Sequence, residues 1–205
     1  MPYRNSAAHR IRTVQANHDT MMSLSSPSNP EVILKPLDES DLDFWQRLTS
    51  QPETREHQPV PDRSVDELLQ QFPRYSERDL SHPTHLTYKW VVLDRETGEK
   101  VGIVSFDKID LEHRIGRIGY TISREFWGRG YGTAAVTELI RRIFTESETE
   151  RIEAECSIHN PASVRVLEKN GFGLEGIKRG YLEIRHERVD HFSFGLLKSD
   201  WGGSN

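Results

Sequence analysis

The sequence predicts a mixed α/β fold, α+β in character: a largely antiparallel sheet with a central parallel strand pair and about four flanking helices. Three observations carry this. Short runs of alternating apolar residues, bounded by turn residues, recur between residues 32 and 122, which is the period of half-buried strands. Val136, Leu139, Ile140, Ile143 and Phe144 then fall at i, i+3, i+4, i+7 and i+8, one face of a helix. That helix separates a strand ending at Ile122 from a strand over 151–158, and a helical crossover between two strands implies that they run parallel.

Residues 1–30 are polar, with Ser23–Pro30 nearly all Ser, Pro and Asn, and read as a disordered tail. The folded domain is expected over 31–201. It opens with the short strand Val32–Leu37. Asp38–Asp41 supply N-cap candidates for a helix carrying Leu42, Trp45 and Leu48. Glu53–His57 reads as a loop, and after the turn-rich Gln58–Asp62 a second helix carries Val65, Leu68, Leu69 and Phe72. Tyr88–Leu93 and Lys100–Ile109 are strands joined by Asp94–Glu99, which has hairpin chemistry. Ile118, Tyr120 and Ile122 alternate in the strand that completes this meander. Beyond the crossover helix, Ile152, Ala154, Cys156 and Ile158 alternate as a further strand. Asn160 at the N-cap, Pro161 at N1 and Gly171 at the left-handed C′ position bound the last helix, and a hairpin closes the chain.

Composition narrows the function. A chain of 205 residues is one domain with room for a proper core. Its 27 basic and 32 acidic residues give a net charge of −5, which is no footprint for direct nucleic-acid binding. No run of 18 apolar residues exists, so no membrane span is expected. The single cysteine, Cys156, excludes an intramolecular disulfide framework, fits a reducing cytoplasm and reads as a buried packing thiol. His82 and His85 have a metal-like spacing but sit in a turn without Cys or acidic neighbours, so solvated loop histidines are expected and no metal site.

The chemistry concentrates in Phe126–Ala135, where Gly128, Gly130 and Gly132 lead from a strand into a helix N-terminus. Amides there lack intrahelical partners and carry the positive end of the helix dipole, so the loop suits phosphate. A P-loop requires Gly-Lys-Ser or Gly-Lys-Thr, but Gly132 is followed by Thr133 and Ala134. A dinucleotide fingerprint requires G-x-G-x-x-G, and the spacing here is G-x-G-x-G. By contrast, Arg129-Gly130-Tyr131-Gly132-Thr133-Ala134 resembles the pyrophosphate loop of acetyl-CoA-dependent N-acetyltransferases. Taken alone it also suits a glycine-rich connection without a ligand. A second match follows about thirty residues later: Asn160-x-x-Ser163, then Val166–Phe172. With Val32–Leu37 and the closing Leu196–Trp201, residues 31–201 most resemble the RimJ/RimL-like ribosomal-protein N-terminal acetyltransferase branch of the Gcn5-related (GNAT) superfamily.

The resemblance implies a GNAT-like sheet whose parallel pair splays at the acetyl-CoA site. It implies that the amides of Arg129, Gly130, Tyr131, Gly132, Thr133 and Ala134 hold the diphosphate, with Asn160 and Ser163 also in the coenzyme site. It implies that the Ile122 amide bonds the thioester oxygen and that Ser163 protonates the leaving thiolate. Acetyl-CoA is then a cosubstrate, and the acceptor is a primary amine: a protein N-terminus, or a small molecule such as an antibiotic, polyamine or metabolite. A non-catalytic acyl-CoA-binding module is the alternative, and monomers and homodimers are both compatible. Four departures from the pattern stand out. Trp127 replaces the usual glutamine or arginine at the start of the loop motif, Leu167 fills the slot of a tyrosine acid, Arg117 stands where many relatives carry glutamate, and Gly180 precedes Tyr181. The catalytic base is therefore unassigned. Glu183, His186 and His191 near the C-terminal hairpin are candidates whose simpler reading is solvated turn residues.

Overall fold

The computed structural model describes residues 30–202. Its strands are β1 (Val32–Pro36), β2 (Thr87–Asp94), β3 (Lys100–Asp110), β4 (Ile115–Ile122), β5 (Arg151–Ser157), β6 (Gly173–Ile184) and β7 (Glu187–Leu197). Its helices are α1 (Leu42–Ser50), α2 (Pro52–His57), α3 (Val65–Gln71), α4 (Tyr131–Glu146) and α5 (Pro161–Lys169). The strands form one seven-stranded sheet in the order β1-β2-β3-β4-β5-β7-β6. Every neighbouring pair is antiparallel except β4 and β5, which the α4 crossover makes parallel.

Side-chain alternation along the strands gives the sheet two apolar faces. On one face Tyr88, Trp90 and Phe106 pack against Leu139, Ile140 and Ile143 of α4 and Leu167 of α5. Complete burial of such aliphatic side chains contributes about 1.5–3 kcal/mol each. On the other face Val91 and Ile103 meet Trp45 and Leu48 of α1 and Leu68 of α3. Local chemistry sets the helix entries. Asp38 forms a capping box ahead of Glu39–Asp41, and Ser64 forms another with Glu67 at the start of α3.

The expected parallel pair is present but short. Register runs only from Ile115↔Arg151 to Arg117↔Glu153. β4 continues to pair with β3 as far as Ile122↔Gly102, and β5 continues to pair with β7 as far as Ser157↔His191. Each strand is held from its outer side, and a wedge opens between them.

Several expectations are corrected. Glu53–His57 is helical, not a loop: Pro52 occupies N1 of α2, so among the described residues five α-helices flank the sheet. Six residues are too few to display an apolar period, which is why the sequence hides this helix. Leu69 does not face the core; it is 44% exposed, and α3 buries Leu68 alone. His82 and His85 do lie partly exposed in a turn, and they also brace it: His82 Nδ1 accepts the His85 N–H at 3.0 Å and His85 Nε2 donates to Thr87 O at 2.6 Å. The tail expected over 1–30 lies, but for its last residue, outside the described residues.

Candidate active site

The wedge exposes backbone donors. The Ser123 N–H bonds Val101 O across the β3–β4 pair, so alternation turns the N–H and C=O of Ile122 and Tyr120 away from β3 and toward the gap. Both carbonyls are occupied: Trp127 Nε1–H donates to Ile122 O at 2.7 Å, and Gln58 Nε2–H donates to Tyr120 O at 3.2 Å. What remain in the gap are the two N–H groups, with that of Ile122 at the mouth. Trp127 thus closes the splayed end of β4, a task its place in the glycine motif does not announce.

The glycine loop then enters α4. Gly128 and Gly130 have φ of +74° and +88°, a region that side-chain-bearing residues reach only with strain. Gly130 is the N-cap of α4 and offers no capping side chain, so the first-turn amides stay open. A Cβ on Gly132 would stand 3.2 Å from Val166 Cγ2, so glycine there keeps the channel between α4 and α5 clear. Ala134 departs from expectation: its amide bonds Gly130 O at 3.1 Å, so the open donors are those of Arg129–Thr133. Side chains stiffen the loop from outside. The Arg129 guanidinium stacks on Phe126 and Tyr131, and Tyr131 OH donates to Asp94 Oδ2 at 2.5 Å. That hydroxyl, with the amides of Thr97 and Glu96, holds the Asp94 carboxyl down to about 2.

α5 supplies the opposite wall. Asn160 Oδ1 accepts the Ser163 N–H at 3.0 Å, the expected N-cap, and Gly171 has the expected left-handed conformation at φ +82°. Ser163 Oγ lies 2.7 Å from Tyr120 OH. Burial pushes the Tyr120 phenol well above its ordinary range, while the Ser163 hydrogen bond pulls the other way. Burial likewise pushes the Cys156 thiol up to about 11, which matches its reading as a packing thiol. Leu167 is wholly buried in the core and takes no part in the wedge.

These walls enclose a cavity of about 510 Å³, within the range of small-molecule sites. Of the residues expected at the site, Ile122, Gly130, Tyr131, Gly132, Thr133, Asn160 and Ser163 line it, and Arg129 and Ala134 do not. The structure adds Glu53, His57, Gln58 and Tyr120 to the lining. Tyr120 was legible as an inward residue of β4, but nothing in the sequence tied it to Ser163, 43 positions away. The three base candidates near the C-terminal hairpin are elsewhere. The side chains of His186 and Glu183 are 99% and 57% exposed at the hairpin tip. His191 is buried at 2%, not solvated, with Nδ1 bonded to Val189 O and its ring against Tyr181.

The profile of the acetyltransferase (GNAT) domain family matches residues 31–173. An uncharacterized N-acetyltransferase, p20 of Bacillus licheniformis, is 28% identical over 171 residues, covering 83% of this chain and 94% of that one. The ribosomal-protein-serine acetyltransferase of Escherichia coli is 33% identical over 78 residues, 38% of this chain and 44% of that one. Among solved structures, a Vibrio cholerae spermidine N-acetyltransferase in complex with CoA and spermine superposes with a TM-score of 0.73 at 22% identity, over 83% of this chain and 98% of that one. No helix among the described residues is long and apolar enough to cross a membrane. The chain belongs to the GNAT acetyltransferase family, as an acyltransferase that takes its acetyl group from acetyl-CoA.

Proposed function

We propose that the acceptor is the α-amine of a protein N-terminus, acetylated by direct attack on the thioester. The observation that carries this reading is the charge of the acceptor side. Glu53 is the one carboxylate lining the cavity among the described residues, and its Oε1 is already 3.8 Å from the Arg124 guanidinium. An acceptor with several ammonium groups requires several unpaired carboxylates, whereas an N-terminus presents one amine on an otherwise neutral backbone. Relatives named for acetylating ribosomal proteins support the same choice. A free thiol in a protein without disulfides fits a cytoplasmic setting.

In this reading the amides of Arg129–Thr133 hold the diphosphate, as a glycine N-cap and an open channel at Gly132 allow. The Ile122 N–H bonds the thioester oxygen, where charge develops during attack. An ammonium has no lone pair, so a base must first take a proton. His57 is assigned that role because it is the one imidazole lining the cavity among the described residues. Gln58 beside it bonds both Tyr120 O and the Thr121 hydroxyl, fixing this end of α2 on β4. Ser163 hydrogen-bonds the departing sulfur.

The test follows thiol release from acetyl-CoA with peptides differing in first residue, polyamines, aminoglycosides and amino acids. Turnover confined to peptides is the expected result. Turnover confined to one class of small amine overturns the acceptor assignment.

A further inference from the structure

The hydrogen bond between Tyr120 and Ser163 can take either hydroxyl as its donor, and the phenol, the stronger acid of the two, is the better one. Tyr120 OH is 2.7 Å from Ser163 Oγ and 3.3 Å from Ser163 O. The carbonyl belongs to the first turn of α5 and already serves the helix ladder, so the nearer hydroxyl is the better acceptor for the phenol's proton. Burial keeps both the phenol and the neighbouring Cys156 thiol protonated, with the Ser163 hydroxyl as the weaker, opposing influence on each. A serine hydroxyl has one proton and two acceptor sites. With Tyr120 donating into Oγ, the Ser163 proton is left for a third partner. Both residues line the wedge, where the sulfur of the coenzyme lies in the acetyl-transfer reading.

We propose that Tyr120 is a positioning residue: its phenol donates to Ser163 Oγ, turns the serine's own proton into the wedge and strengthens that proton's bond to the departing sulfur. Accepting a hydrogen bond makes a hydroxyl a better donor, which is the physical content of the strengthening. The inference rests on the acetyl-transfer reading given above. In the step itself the amine nitrogen bonds the acetyl carbon, the carbon–sulfur bond breaks, and sulfur takes the Ser163 proton. The serine regains a proton from the nitrogen, which loses one on becoming an amide. Tyr120 keeps its own proton throughout, so its effect is wholly on orientation and donor strength.

The test is a double-mutant cycle on the full chain with acetyl-CoA and the best peptide from the acceptor panel. Tyr120→Phe is expected to lower kcat about tenfold, with the KM for acetyl-CoA and the melting-temperature rise given by coenzyme A unchanged. Ser163→Ala is expected to lower kcat about ten- to a hundredfold. The double variant should be no slower than Ser163→Ala alone, because the phenol acts only through the serine. Equal losses from Tyr120→Phe with and without Ser163 would overturn the proposal, as would a loss confined to KM. Replacing Tyr120 with 3-fluorotyrosine keeps ring and hydroxyl and sharpens the donor. It should raise kcat up to a few-fold, and an unchanged or lower kcat counts against the proposal even if Tyr120→Phe does not fold. A wild-type protein that releases no thiol with any amine removes the acetyl-transfer reading and the positioning role with it. An active wild type with additive variants removes the positioning role alone.

Discussion

Replacing Gly130 with aspartate tests the placement of the diphosphate, and asparagine at the same position is its control. Gly130 caps α4 at φ +88°, so any side chain there is strained. Asparagine and aspartate tolerate that conformation better than other residues, at a cost of about 1–2 kcal/mol that both variants share. They have nearly the same shape and differ by one charge. A carboxylate about 5 Å from a diphosphate bearing about two charges is repelled by about 2 kcal/mol at the dielectric of water and about 7 kcal/mol at an effective dielectric of about 20. Coenzyme A should therefore bind Gly130→Asp at least about tenfold more weakly than Gly130→Asn. Titration calorimetry at low and high salt measures this, and the gap should narrow as salt screens the repulsion. Acetylpantetheine, which lacks the diphosphate, should bind both variants alike. Equal coenzyme A affinity for the two folded variants refutes a diphosphate on these amides.

Asn160→Ala removes the cap of α5 and should lower stability by about 1 kcal/mol, read as a fall in the thermal midpoint. His57→Gln should lower kcat about a hundredfold in peptide acetylation, with partial rescue by added imidazole; an undiminished rate assigns proton removal to water. For Asp94 the folded-state pKa of about 2 lies below the unfolded value of 3.8, so its contribution to stability is complete above 3.8 and is lost as pH falls toward 2. Asp94→Asn should flatten the stability profile across that window in acid-unfolding measurements. An unchanged profile would mean that the Tyr131–Asp94 bond does not hold the glycine loop.

Residues close in sequence determined what local chemistry can decide. The apolar stripe from Val136 to Phe144 specified α4, and every residue of it is buried. Asn160, Pro161 and Gly171 fixed both ends of α5, because capping is a matter of one residue and its near neighbours. The glycines at 128, 130 and 132 marked the turn into α4 for the same reason: positive φ at the first two and close approach at the third are local demands. Tertiary structure alone decided the rest. The Tyr120–Ser163 bond spans 43 positions, and the Gln58–Tyr120 bond spans 62. No period or cap encodes such distances. α2 escaped notice because a six-residue helix shows no amphipathic repeat, and with it went His57 and Gln58. His191 read as a solvated turn residue, yet pairing of β7 with β5 and β6 buried it. The wedge itself has no sequence signature. It exists because β3 and β7 hold β4 and β5 from outside more extensively than the two strands hold each other, a balance of pairings that only the assembled sheet sets.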